Sequence, residues 1–192
     1  KNNVEDLYDY EIRVYDNCST KSYEDIIADY SNLNLIYKKH STNIGAVNNF
    51  ILLQKEVEKD CFCIISDDDY ILPGHFNNLL NLLINHPKAA FACSHTRILS
   101  SDGKYLNSPS MKSSFWKKKD TYFPSPKTLW NMYFNHFVST GCIFRAYTIN
   151  DLYFDENGDD RLYLVELSSL YPFCISNIPS AVLTMGDDTT SS

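Results

Sequence analysis

The sequence predicts an α/β domain with a largely parallel sheet flanked by helices, and two observations carry that expectation. Short apolar runs alternate with amphipathic stretches along the chain, which is the rhythm of successive β-α units. The chain has 192 residues of which 44% are hydrophobic, a length and composition that suit one domain, residues 1–192, with a sizeable core.

The elements follow in order. Residues 11–15 read as a strand ending at Asp16-Asn17, and a helix follows over 22–30 with Ser22 placed to cap it. Residues 33–37 form a second strand. Asn43-Ile44-Gly45 breaks the pattern, and a helix over 46–59 then sets Val47, Phe50, Ile51 and Leu53 at helical spacing. Residues 61–65 make a buried strand by length and apolar content, and it runs straight into Asp67-Asp68-Asp69. Pro73 stands near the start of the next helix, where its missing N–H costs nothing. Leu79, Leu80, Leu82, Leu83 and Ile84 give that helix a broad apolar face, and Pro87 ends it.

Residues 89–95 read as another strand, and Ser101-Asp102-Gly103-Lys104 as a turn into a short return strand. The segment 107–126 is polar, contains three prolines and reads as a long loop. A short helix over 128–134, a strand over 137–144 and a helix over 160–171 complete the pattern. The last of these is introduced by the turn-forming Asp155-Glu156-Asn157-Gly158.

Seventeen Lys and Arg against 24 Asp and Glu leave a formal charge of -7, which argues against electrostatic capture of nucleic acid. No apolar run approaches the roughly 18 residues that span a bilayer, and the N-terminus lacks a basic-then-apolar signal pattern. The expectation is a soluble, unexported chain. Six cysteines are too sparse here for a disulfide scaffold and most lie in apolar stretches, which suits a reducing, cytoplasmic compartment.

The strongest chemical signal is Ser66-Asp67-Asp68-Asp69 after a buried strand. Ligands of open α/β sheets bind outside the carboxyl ends of the strands, and carboxylates are hard oxygen ligands suited to Mg²⁺ or Mn²⁺. A solvated acidic turn preceding the helix near Pro73 accounts for the same residues without a ligand. Asp16, also at a strand's carboxyl end, is placed to accept a nucleobase N–H, or simply to make a turn with Asn17. Asn43-Ile44-Gly45 before a helix can present backbone N–H groups to a phosphate, although one glycine near a helix start is a weak sign. Asp159 and Asp160 begin a helix, where carboxylates serve either as a general base or as partners of the helix dipole. The single Cys61-x-Cys63 has no partner pair for zinc.

Taken in order, these residues resemble a family 2 glycosyltransferase of the GT-A, Rossmann-type fold. Glu11-Ile-Arg-Val-Tyr-Asp16-Asn17-Cys-Ser19-Thr20 is similar to the family's strand ending in Asp-Asn-x-Ser-Thr, whose Asp contacts the nucleotide base. Asn43-Ile44-Gly45 with Asn49-Phe50 resembles the Asn-x-Gly segment that follows, and 61–73 resembles the apolar strand, DxD-type acidic motif and downstream Pro. Gly141-Cys-Ile-Phe-Arg145, Phe154-Asp155 and Asp159-Asp160 look like the acceptor-side strand and the acidic helix start that supplies the base. The resemblance covers nearly the whole chain, with residues 1–96 as a nucleotide-binding half and 97–192 as an acceptor-side half. Two departures stand out. The family's first strand and most of its first helix have no counterpart before Glu11, so a trimmed domain is expected. Ser66 stands where many members carry the first acidic residue.

The resemblance implies transfer of a sugar from a nucleotide diphosphate donor, a UDP-sugar, to an acceptor hydroxyl with inversion, in polysaccharide or glycoconjugate synthesis. It places Asp16, Asn43, Gly45, Asn49 and Asp67 at the nucleotide, and Asp68, with Asp67 and Asp69, at Mn²⁺ or Mg²⁺. Asp160, or Asp159 one residue earlier, becomes the base. The implied partners are the nucleotide-sugar and a saccharide or lipid-linked acceptor. The run Trp116-Lys117-Lys118-Lys119 offers a peripheral contact to the inner face of a membrane. Phe115, Trp116 and Tyr122 are aromatic candidates for stacking on a sugar within a loop that closes over the site. Two other classes fit the same residues: metal-dependent nucleotidyl transfer, distinguished by pyrophosphate release, and a non-catalytic sugar- or nucleotide-binding module, distinguished by the absence of donor hydrolysis.

Overall fold

The computed structural model of the chain describes residues 8–107, 119–126, 137–150 and 160–184. Strand β1 (Ile12–Asp16) and β2 (Leu35–Lys39) form a parallel two-stranded sheet, joined through the short helix α1 (Glu24–Ala28). Helix α2 (Ala46–Lys55) follows, then β3 (Cys61–Phe62), β4 (Tyr70–Ile71), helix α3 (His75–Asn85), β5 (Phe91–Leu99), β6 (Tyr105–Asn107) and β7 (Thr121–Phe123). A 3₁₀ turn (Ser139–Gly141) leads into β8 (Cys142–Arg145), a second 3₁₀ turn (Ala146–Asn150), helix α4 (Asp160–Leu170) and β9 (Phe173–Thr184).

Among the described residues these strands build a seven-stranded sheet with the order β3-β8-β5-β9-β4, β6 lying on β5 and β7 on β9. The α/β class holds, with mixed strand directions. The β1–β2 and β5–β9 ladders are parallel, whereas β3–β8, β4–β9, β5–β6, β5–β8 and β7–β9 are antiparallel.

Period-2 alternation in the central strands divides the core between the two faces of the sheet. Phe91 and Cys93 of β5, Cys142 and Phe144 of β8, and Phe173 and Ile175 of β9 pack with Tyr163, Leu164, Val165 and Leu167 of α4. The intervening Ala92, Ile143 and Cys174 pack with Leu79, Leu82 and Leu83 of α3. Stacked rings stiffen the α4 side, with Phe91 and Phe173 centroids 5.1 Å apart and Phe123 and Phe173 4.5 Å apart.

Several boundaries differ from the sequence expectation for physical reasons. Helix α2 ends at Lys55 rather than at residue 59, where the Val57 N–H turns to the Gln54 carbonyl at 3.2 Å in an i→i−3 bond and the Glu56 carbonyl accepts from Arg13 Nη1. Arg13 is further held by Glu11, Glu56 and Glu58. The strand expected over 61–65 forms a ladder only at Cys61 and Phe62, opposite Arg145 and Phe144. Helix α1 is shorter than 22–30 and buries none of its residues. Within 107–126, expected as loop, Thr121–Phe123 pairs with β9 and Tyr122 stacks on His86, centroids 4.2 Å apart. Residues 139–141 form a 3₁₀ turn, so the strand expected from 137 begins only at Cys142. The helix expected over 128–134 lies outside the described residues.

Strand β9, central to the sheet, had no sequence expectation. Pro179 and the polar residues around it interrupt its apolar pattern, and the structure explains why the strand survives them. The β5 register steps from Ser94↔Ser176 to Thr96↔Ala181, leaving Asn177 to Ser180 as a bulge opposite His95 where proline removes no β5 ladder bond.

Candidate active site

The site residues assemble in two groups. The first lies at the carboxyl ends of β1 and β2. Asp16 is 7% exposed, its Oδ1 accepts the Ser19 N–H at 2.7 Å, and its Oδ2 accepts the Tyr37 hydroxyl at 2.7 Å. The Ser19 amide and the Tyr37 hydroxyl hold the Asp16 carboxyl below the ordinary carboxylate range, and the same bond pushes the Tyr37 phenol up to about 12. Cys18, with φ of 69°, makes the left-handed step that lets the chain fold back onto Asp16.

Asn17 ties this turn to the segment before α2. Its Oδ1 accepts the Ile44 N–H at 2.9 Å and its Nδ2 donates to Asn43 Oδ1 at 3.0 Å, which also accepts the Gly45 N–H at 2.8 Å. Gly45 has φ of 83°, and that backbone conformation is what requires glycine, since a Cβ would meet nothing within 4 Å. Asn49 Nδ2 donates to the Tyr15 carbonyl at 3.1 Å, and its Oδ1 lies 2.9 Å from His40 Nε2. Asn43 and Asn49 thus shape the rim around Asp16 through bonds to protein groups.

The second group is built on the 3₁₀ turn Ser139–Gly141. Asp69 N–H donates to the Ser66 carbonyl at 3.1 Å, closing a turn with Asp67 and Asp68 exposed at its tip. Asp69 itself points back into the protein. Its Oδ1 accepts the Thr184 N–H at 3.0 Å at the end of β9, and its Oδ2 accepts the Thr140 hydroxyl at 2.8 Å. Burial pushes the Asp69 carboxyl up and those two donors pull it back. Asp160, in the first turn of α4, accepts the Ser139 N–H on Oδ2 at 2.6 Å. Consecutive residues of one turn therefore hold the acidic motif and the helix-start carboxylate together. The turn is itself seated against the sheet, because a Cβ on Gly141 would lie 3.4 Å from both Ser94 Oγ and Ala181 Cβ.

Among the described residues no three His, Cys, Asp or Glu assemble as a metal-ligating group. Asp67 and Asp68 remain as two exposed carboxylates, a donor set that fits a Mg²⁺ or Mn²⁺ ion completing its shell with phosphate and water oxygens. Asp69, expected alongside them at the metal, has each oxygen on a protein donor.

The family model for glycosyl transferase family 2 matches residues 1–148. The chain belongs to glycosyl transferase family 2. Among solved structures, the crystal structure of S. aureus TarS 1-349 resembles it with a TM-score of 0.67 and 20% identity, over 91% of this chain and 51% of that one. That likeness shows the fold, the GT-A-like α/β architecture, and the chain spans about half the length of the TarS chain it matches. No curated protein sequence matches the chain at a significant level.

Within this family 2 domain, sequence reasoning missed the residues that hold the carboxylates. Tyr37 sits opposite Val14 in the parallel register, two residues before Lys39 opposite Asp16, so strand parity was the signal that puts it on the Asp16 face. Thr140 and the Thr184 amide carry no local signal, since the Thr140–Asp69 contact spans 71 residues of sequence. Asp159, Phe115 and Trp116 lie outside the described residues. Among those that are described, no helix is long and apolar enough to cross a membrane.

Proposed function

We propose that this chain carries the transfer site of an inverting glycosyltransferase that uses a nucleoside diphosphate sugar, with UDP as the nucleotide. The observation that carries the proposal is the fastening of Asp69 and Asp160 to Thr140 and Ser139, which sets a diphosphate-side acidic turn beside a candidate base. Family membership supports the reading and the exposed Asp67-Asp68 pair suits the donor's charge.

In this reading Asp16 accepts an N–H of the base, and the turn carrying Asp67 and Asp68 faces the diphosphate. A divalent ion held there supplies Lewis-acid stabilisation of the leaving diphosphate. Asp160 takes the proton of the acceptor hydroxyl as its oxygen attacks the anomeric carbon from the face opposite the diphosphate. The new C–O bond forms as the bond to the β-phosphate oxygen breaks, its electrons leave with UDP, and the anomeric configuration inverts. The Ser139 N–H holds Asp160 in place through Oδ2. The acceptor is a saccharide or lipid-linked hydroxyl, met at the cytoplasmic face of a membrane.

The test is calorimetric titration of the chain with UDP, with and without Mn²⁺, followed by product analysis with UDP-sugars. The proposal requires UDP binding strengthened by Mn²⁺ and release of UDP on turnover. Release of pyrophosphate instead would assign nucleotidyl transfer, and absence of UDP binding in both conditions would overturn the proposal.

A further inference from the structure

Thr140 is 1% exposed, and its hydroxyl is committed to Asp69. A buried threonine hydroxyl can satisfy itself on a nearby backbone carbonyl, as Thr148 Oγ1 does on the Arg145 carbonyl at 2.7 Å. Thr140 instead reaches a carboxylate far away in sequence, immediately after the exposed Asp67-Asp68 tip. Its neighbour Ser139 holds Asp160 through the backbone, where no side-chain choice is involved. The Asp69 bond is therefore a side-chain-specific link between the 3₁₀ turn and the acidic motif. The other anchor of Asp69, the Thr184 amide, belongs to β9 and fixes the motif to the sheet and not to the turn.

We infer that Thr140 is a positioning residue that sets where the Asp67-Asp68 tip stands relative to Asp160, by clamping Asp69 through its hydroxyl. The inference rests on the function proposed above. Its consequence is a division of effects. Loss of the hydroxyl displaces the acidic tip and weakens the diphosphate side of the site, while the Asp16 pocket on β1 and β2 keeps its own partners in Ser19 and Tyr37.

Thr140→Val removes the hydroxyl at nearly constant volume, and Thr140→Ser retains it. UDP affinity is measured by calorimetry at 10 °C for each variant, in Mn²⁺ and in EDTA, with thermal unfolding of each recorded alongside. Thr140→Val is expected to lose roughly fivefold or more in UDP affinity in Mn²⁺ with its EDTA affinity unchanged, and Thr140→Ser to match the parent. A general loss of structure would lower both affinities together. Thr140→Ala, which leaves room for water to solvate Asp69, gives the same comparison should the valine variant not fold. The inference is overturned if the hydroxyl-free variants keep the parent's Mn²⁺ enhancement, if both affinities fall together, or if Thr140→Ser is as impaired as Thr140→Val. A parent that binds no UDP overturns the proposed function and this inference with it, whereas a parent that binds and a variant that equals it removes Thr140 alone.

Discussion

Tyr37 donates its hydroxyl to Asp16 Oδ2 across two neighbouring parallel strands, at 2.7 Å. The bond orients a carboxylate at a strand's carboxyl end and, with the Ser19 amide, holds it ionised. Tyr37→Phe removes one of the two donors. The Asp16 carboxyl should then titrate at higher pH than in the parent, read by carboxyl-carbon NMR, and UDP affinity should fall less than in Asp16→Ala. Asp16→Ala is expected to lose roughly tenfold or more in UDP affinity even in EDTA, because its proposed partner is the base and not the diphosphate. Equal binding of UDP by parent and Asp16→Ala removes Asp16 from the site.

His75 makes the stability of the fold depend on pH. It is fully buried at the start of α3, its Nδ1 lies 2.8 Å from Ser180 Oγ, and its Nε2 has no partner among the described residues. Burial pushes its pKa down to about 4 from the ordinary 6.5. Above pH 6.5 the ring is neutral in both states and contributes no slope. As pH falls toward 4 the unfolded chain takes up a proton that the folded chain refuses, so about 3 kcal/mol of stability is lost across that window. Urea midpoints between pH 7 and 4 should show this loss in the parent and a shallower one in His75→Asn. Parallel curves would show that another group titrates.

Asp68 stands at an exposed turn tip, so its charge matters little to folding, and in the proposed function it acts on binding. Asp68→Asn should leave the unfolding midpoint unchanged and reduce the Mn²⁺-dependent gain in UDP affinity. An unchanged gain, measured by titration, removes Asp68 from the diphosphate side.

Leu79 is fully buried between α3 and the face of the sheet formed by Ala92, Ile143 and Cys174. Leu79→Ala should cost about 2 to 5 kcal/mol by urea unfolding, from lost transfer energy and the cavity left behind. A loss under about 1 kcal/mol would mean that the site is solvated or collapses fully.

What the sequence made legible was set by local chemistry. Pro73 and the Leu79 to Leu83 spacing announce α3, and Asp16 after an apolar run announces the end of β1. The pairs Tyr70–Ile71 and Cys61–Phe62 are too short to show a period, and Pro179 hides a strand whose bulge accommodates it. The antiparallel pairing of β8 with β5 is decided by tertiary packing of alternate faces, which β-α rhythm alone does not encode. The acidic motif was visible because three consecutive carboxylates follow an apolar strand, at the end of an open α/β sheet where ligands bind. Their partners, Tyr37, Thr140 and the Thr184 amide, are ordinary residues made specific only by contacts across the fold.

The central claim is that Asp160 acts on the acceptor proton, and turnover of Asp160→Asn tests it most directly. Asparagine keeps an oxygen to accept the Ser139 N–H, so the helix start stays in place while the base is lost. With the same UDP-sugar and acceptor, Asp160→Asn should bind UDP like the parent and lower kcat by roughly 10²-fold or more, with Asp159→Asn affected less. An Asp160→Asn variant that turns over at the parent's rate would contradict the account.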